Sequence, residues 1–316
     1  MLGATAVAII RLRSLFAVVM LSGIYSLLSA SIFVALDAVD VAFTEAAVGA
    51  GISTMLLLGT LVLTGHYENE PAHKPLLPLM VVIVTGAVLV WGTLDMPHFG
   101  LPDNPIQQHV APRYIEDSPQ EVGVPNMVTS VLASYRGYDT FGETTVVFTA
   151  LVGVLALLGV RQGKTPVRAV YNHPDQPPRP VLQVMSKLLI PFILLFALYV
   201  QFHGDFGPGG GFQAGVIFAS GVILYTLTFG LDDAYAMIHP RILTPLAALG
   251  VMLYGGTGLA GMLLGSNFLD YSVLAHDPVH GQHYGILLIE FGVGLTVACV
   301  MIMIFYAFMS RGEKPG

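Results

Sequence analysis

The sequence predicts an all-α, polytopic membrane protein of about eight transmembrane helices, with both termini on the cytoplasmic side. Three observations carry that expectation. Only 10% of the 316 residues are charged and 54% are hydrophobic, whereas a soluble domain carries about 25% charged residues. Mean hydropathy is +0.73. The apolar residues also gather into segments of about 20, the length that crosses a bilayer core.

In order, the expected spans are roughly 14–36, 43–64, 76–95, 141–160, 185–203, 210–231, 242–265 and 284–309. Residues 1–10 are apolar but too short to span, and read as a stub helix. Arg11 and Arg13 ahead of an apolar run resemble a signal peptide. That run is long and further spans follow it, so it reads as a retained anchor. The longest connection, 96–125, carries prolines at 97, 102, 105, 112 and 119 and no clear period, and is expected to be irregular. Residues 127–138 repeat apolar side chains at helical spacing (Val128, Val131, Leu132, Tyr135), as a short amphipathic helix at the membrane interface would. The basic, proline-rich stretch 161–179 reads as a linker between two bundles of four spans.

Orientation follows from the basic residues. With the N-terminus inside, all 13 Lys and Arg except Arg113 and Arg136 fall on the inner side. The acids show the opposite bias, with Asp37, Asp40, Glu45, Asp95, Asp139, Glu143, Asp205 and Glu290 among those on the outer half. A negative outer surface raises the local cation concentration. Acids filling the positions that lysine avoids would give the same pattern.

Residues 203–215 read H-G-D-F-G-P-G-G-G-F-Q-A-G between two apolar runs. Gly207, Pro208, Gly209, Gly210 and Gly211 cannot continue a helix cheaply, and read as a tight hairpin where two helices approach closely. No G-K-[ST] follows, so the run is not a phosphate-binding loop. His203 and Asp205 sit at the membrane edge and are candidates for a proton path. Ionisable groups inside spans are costly and are functional candidates by default. They are Glu45, Glu143 and Glu290, with Lys187 able to snorkel to the inner surface. Glu290 is the most deeply placed. Beside Glu45, the small residues Ala46, Ala47, Gly49, Ala50 and Gly51 form a packing face for a second helix. The plain alternatives are a ligand-free hairpin, a protonated structural glutamate at 290 and an interface acid at 143.

His276, His280 and His283 invite a metal reading, but Pro278 and Gly281 argue against a regular helix there. No metal or cofactor site and no catalytic set is expected. Nothing in the sequence reads as a nucleic-acid-binding surface. The single Cys299 forms no intrachain disulfide.

The run G-D-F-G-P-G-G-G-F-Q-A-G resembles the B subunit of the multisubunit sodium/proton antiporters called Mrp or Mnh, and the likeness extends over 181–309. Residues 11–65, with D-V-A-F-T-E-A-A-V-G-A-G, are similar to the D-type subunit of membrane-bound hydrogenases. Residues 76–160, with N-M-V-T-S-V-L-A-S-Y-R-G-Y-D-T-F-G-E-T, are similar to the E-type subunit. In many Mrp systems these two pieces form the C-terminal part of the large A-type subunit. The resemblance divides the chain into a D-type region 1–75, an E-type region 76–165, a cytoplasmic linker 166–180 and a B-type four-helix domain 181–316. It departs in the first motif: the A-type pattern has proline, glutamine and glutamate where this chain has Val39, Glu45 and Gly49. Positions 45 and 49 share a helix face, so the acid is displaced by one turn.

The resemblance implies a subunit of a cation (sodium)/proton antiporter, not an enzyme, in the plasma membrane of a prokaryote. Its implied partners are the large antiporter-like A and D subunits, the small C, E, F and G subunits, and membrane lipid. It implies that Glu45 and Glu143 face the ion route. Two other readings stay open: the membrane arm of a redox-driven complex of the hydrogenase or complex I type, and a structural scaffold.

Overall fold

The computed structural model describes residues 1–69, 76–159 and 180–310. Eight of its helices or helical segments are long and apolar enough to cross a membrane. The protein is a multi-pass, all-α membrane protein. The linker 161–179, with Arg161, Lys164, Arg168 and Arg179, lies outside the described residues, as do Lys74, Arg311 and Lys314.

The first pair of spans is a helical hairpin. A stub helix, α1 (Leu2–Arg11), precedes α2 (Leu15–Ala35), whose first turn is capped by the Ser14 hydroxyl accepting from the Ala17 N–H. The chain turns at Asp37, which has φ of 58°. The return span is composite: α3 (Val39–Glu45), a π-helical segment (Ala46–Ile52) and α4 (Ser53–Leu63). Small residues let the two spans meet, Gly23 facing Thr54 and Gly49 facing Ser26. The start of α2 and the end of α4 are tied by the Leu15 N–H donating to His66 O and the Glu68 N–H donating to Arg13 O.

The third span, α5 (Leu76–Thr93), buries none of its residues. The connection after it is more ordered than its prolines predict. It contains three short helices, α6 (Pro105–Gln108), α7 (Val110–Glu116) and α8 (Ser118–Glu121), and two prolines stand at helix starts, where the missing N–H costs nothing.

Residues 127–138 are not a surface amphipathic helix. A single turn, α9 (Met127–Thr129), leads into a second π-helical segment (Ser130–Tyr135), and Thr129, Ser130 and Ala133 are buried. The Ser134 hydroxyl donates to Gln282 Oε1, holding the segment inside the bundle. The fourth span, α10 (Gly137–Leu158), begins four residues before its expected start.

The C-terminal four spans are α11 (Pro180–His203), α12 (Gly211–Phe229), α14 (Pro240–Leu263) and α15 (Pro278–Met309), with a short α13 (Leu231–Met237) after α12. The last helix starts at Pro278 rather than near 284. Proline at the first helical position is favoured and Asp277 caps the turn through the His280 N–H, so Pro278 starts the helix and Gly281 continues it.

The core is built around α15. Ile286, Ile289, Val293, Val297, Val300 and Met303 recur at helical spacing and are all buried. Its neighbours approach at backbone distance. A Cβ on Gly215 of α12 would lie 2.7 Å from Gly294 O, and one on Gly292 would lie 2.7 Å from Gly250 O of α14. The Thr296 hydroxyl donates to Ala247 O. The second π-helical segment and the start of α10 dock through two buried tyrosines, Tyr254 donating to Gly137 O at 2.7 Å and Tyr271 to Ala133 O at 3.2 Å.

Candidate functional site at the junction of three helix groups

The glycine run forms the hairpin its composition predicts. The Phe206 and Gly207 N–H groups donate to His203 O, which closes α11, and the Gly210 N–H donates back to Val200 O at 3.0 Å. Gly210 has φ of 108°, a conformation that side-chain-bearing residues rarely adopt. Added side-chain carbon at Gly210 would stand 2.9 Å from a Glu290 carboxylate oxygen. The hairpin is therefore wrapped against Glu290, and the carboxylate stands at the positive end of the α12 dipole.

Asn126 fastens this hairpin to the other two regions. Its side-chain N–H₂ donates to Gly204 O, Gly207 O and Asp40 Oδ1 at 3.2, 3.0 and 3.2 Å. Its backbone N–H donates to Asp205 O. The Thr129 hydroxyl adds a 2.6 Å bond to Gly204 O. A second tie runs from Gln213 Nε2 on α12 to the Thr44 hydroxyl on α3, at 2.7 Å.

Beside these contacts lies an open cavity of about 260 Å³. Its polar lining includes Asp40 and Thr44 from α3, Glu143 and Thr144 from α10, Gln213 from α12, and Glu290 from α15. Three carboxylates from three parts of the chain thus face one space. Among the described residues no donor from the protein bonds the Glu290 carboxylate, and no group of three or more His, Cys, Asp or Glu is arranged to hold a metal ion.

The other predicted residues are distributed differently. Asp205 lies beside the cavity and pairs with His283 of α15, Oδ2 to Nδ1 at 3.0 Å. Burial pushes the Asp205 carboxyl above the usual carboxylate range, and His283 opposes that shift. His203 does not pair with Asp205; its ring stacks on Tyr199 at 4.9 Å. Glu45 does not line the cavity; it lies against Gly49, whose added Cβ would meet Glu45 Oε1 and Ser26. That is the small-residue face expected at 45–51, and the helix it receives is α2. Lys187 stands over the Phe229 ring, 5.3 Å from its centroid.

In the connection before α9, Glu121 accepts from both Tyr135 and Arg113. The Tyr135 hydrogen bond, followed by Arg113, holds the Glu121 carboxyl below its ordinary range, and burial first, then Glu121, pushes the Tyr135 phenol up to about 12. This pins the end of the long connection to the second π-helical segment.

Asp40, Asn126, Gln213 and His283 are the site residues that sequence reasoning did not single out. Gln213 carried the clearest signal, as an amide two residues inside an apolar span. Asp40 and His283 were visible only as one outer acid and one of three clustered histidines.

Residues 181–303 match a domain family described as related to the MnhB subunit of the Na+/H+ antiporter. Residues 1–66 and 78–176 match families described as subunits D and E of MBH. The chain is 33% identical over 137 residues to a putative antiporter mnhB2 subunit of Staphylococcus haemolyticus, covering 96% of that protein. The chain belongs to the MnhB family. This MnhB-family chain is also 26% identical over 312 residues to a probable K(+)/H(+) antiporter A/B subunit of Rhizobium meliloti, but spans only 30% of that protein's length. Among solved structures, it resembles a chain of the Mrp complex from Dietzia sp. DQ12-45-1b with a TM-score of 0.75 and 26% identity, over 97% of this chain and 34% of that one. A chain of the archaeal membrane-bound sulfane sulfur reductase is similar at a TM-score of 0.57 and 30% identity, over 75% of this chain and 98% of that one. In this MnhB-family chain, the MnhB-matching part supplies Glu290 and the glycine hairpin. The MBH-D and MBH-E matches supply Asp40 and Glu143.

Proposed function

We propose that this chain is a membrane subunit of a multisubunit cation/proton antiporter, and that its junction cavity forms part of the ion path. The carrying observation is the convergence of Asp40, Glu143 and Glu290 on one cavity where three differently matched regions meet. Ionisable groups within or at the ends of spans are costly and are functional candidates by default. The antiporter names among its relatives support the reading of sodium, or another monovalent cation, exchanged for protons. Its likeness to a chain of the Mrp complex and to antiporter subunits supports its working beside large antiporter-like subunits (A and D) and small ones (C, E, F and G) in the plasma membrane of a prokaryote.

The regions act as a D-type unit (1–75), an E-type unit (76–165) and a B-type unit (181–316), joined by a cytoplasmic linker, with both ends inside. Glu45 lines the D-type hairpin rather than the cavity and supports the path from the α2 side. The chain itself is a transporter component rather than an enzyme.

The test is sodium-driven proton exchange in everted vesicles carrying the whole complex. Glu143→Gln and Glu290→Gln are each expected to lower exchange by at least about tenfold, a barrier change of about 1.4 kcal/mol, while the complex is recovered in normal yield. Exchange at the wild-type rate in both variants overturns the role. A second reading, the membrane arm of a redox-driven complex, draws on the likeness to the archaeal respiratory complex. Mild-detergent purification of the tagged chain separates the two: iron–sulfur subunits would establish the redox arm, and antiporter-like subunits alone the antiporter.

A further inference from the structure

Glu290 borders two spaces. Besides the large cavity, it bounds a separate one of about 20 Å³, shared with Gln201, Phe202, Asp205, Leu287 and Phe291. Glu290 is the one residue common to both linings. A cavity must offer about 10–15 Å³ and two to four polar partners to hold a water. This one offers the room of a single water, two carboxylates and the Gln201 amide between apolar walls. Asp205 and Glu290 are also near enough to act on one another electrostatically.

Asp205 lines this space and pairs with His283, which lies outside the lining. Asp205 keeps only 12% of its side chain exposed, whereas His283 keeps 42%. His283, Leu287 and Glu290 follow one another by four and three residues, so they lie along one face of α15. The order from the surface inward is therefore imidazole, carboxylate, water-sized space, carboxylate.

We propose that His283 and Asp205 form an outer proton port to Glu290, linked by one water in the small cavity and separate from the side where Asp40 and Glu143 meet Glu290. The inference rests on the antiporter reading and adds to it a proton entry distinct from the cation side. The transfer balances. His283 Nδ1–H gives its proton to Asp205 Oδ2, Asp205 gives a proton to the water, and the water gives one of its own to Glu290. One proton moves inward, the water is restored, and His283 takes its replacement from the outer solvent. The buried Asp205 holds its proton more readily than an exposed aspartate, and His283, once it has taken its replacement proton from solvent, opposes that hold.

The other ionisable groups around the port are few. His280 and Asp277 pair with each other at the start of α15, at 3.3 Å. His203 lies on the hairpin, with Nε2 facing Gly207. Asp40 lies across Asn126.

The experiment uses the whole complex in everted vesicles, with exchange measured against pH and against sodium. His283→Ala is expected to move the acidic limb of the pH profile about one unit to higher pH, because Asp205 loses the cation that favours its release. His283→Lys is expected to restore the limb. Asp205→Asn is expected to slow exchange without changing the half-saturating sodium concentration, which Glu143→Gln does change. An unmoved pH profile in His283→Ala, or a sodium shift in Asp205→Asn equal to that of Glu143→Gln, overturns the port and leaves the antiporter reading standing. A transport-independent measurement separates the remaining case. Infrared pH titration of the purified complex follows the carboxyl band that disappears in Glu290→Gln. Its midpoint is expected to move in His283→Ala and in Asp205→Asn. A wild-type complex without exchange would defeat the antiporter reading, and an unchanged infrared midpoint would still defeat the port.

Discussion

Asn126 shares the two protons of one amide among three acceptors, two on the glycine hairpin and one on α3. Its substitution leaves Gly207 O and the Asp40 carboxylate without this donor in a half-buried place, while Gly204 O keeps Thr129. A net hydrogen bond contributes about 0.5–1.5 kcal/mol, and an orphaned buried acceptor costs more. Asn126→Ala is therefore expected to destabilise the complex by about 2–3 kcal/mol, seen as a lower midpoint in a thermal-shift assay in detergent. Asn126→Asp should fall further, because it sets a second carboxylate against Asp40. A midpoint equal to wild type in both would remove Asn126 from the junction. None of this was readable along the chain, since the acceptors lie 78 to 86 residues away. Glu290 was readable, because an acid among apolar neighbours stands out wherever it is.

At the scale of elements, hydrophobic length located every span. Boundaries shifted by a few residues where local chemistry overrode composition. Pro278 starts α15 because a first-turn proline loses no hydrogen bond. The two π-helical segments were invisible, because widening a helical turn depends on what packs against it and not on intrinsic preference. Both adjoin the cavity, one just after Thr44 and the other carrying Leu132 and Ala133 on its lining. The helix α5 shows the opposite case, a span with strong composition and no buried residue. It carries the only tryptophan, Trp91, which is 74% exposed. In bilayers containing the chain alone, Trp91 emission is expected to be strongly quenched by brominated acyl chains. Weak quenching would mean that α5 folds back onto the bundle.

At the scale of the whole molecule, the basic residues predict one orientation. In a Cys299→Ala background, Phe99→Cys is expected to react with an impermeant maleimide added to intact cells, and Tyr67→Cys only after the membrane is opened. The reverse pattern would invert the topology and move the Asp205–His283 port to the cytoplasmic side. The three-part layout was also legible, because each part carries its own motif. Its assembly around one cavity was not. Glu143 faces that cavity, whereas Glu45 turns to α2 and Asp40, five residues earlier, lines the cavity instead.

Apolar length, the sparsity of charge and the one-sided basic residues were enough to establish a polytopic helical protein, because the bilayer tests each segment almost independently of the others. The hairpin too was written locally, in glycines that no helix would choose. The site belongs to the packed bundle. Which acids share a space, which histidine meets Asp205 and which amide closes the junction depend on how helices far apart in sequence rotate against one another. That rotation is set by backbone contacts at Gly211, Gly215 and Gly294 and by long-range hydrogen bonds, which no local pattern encodes.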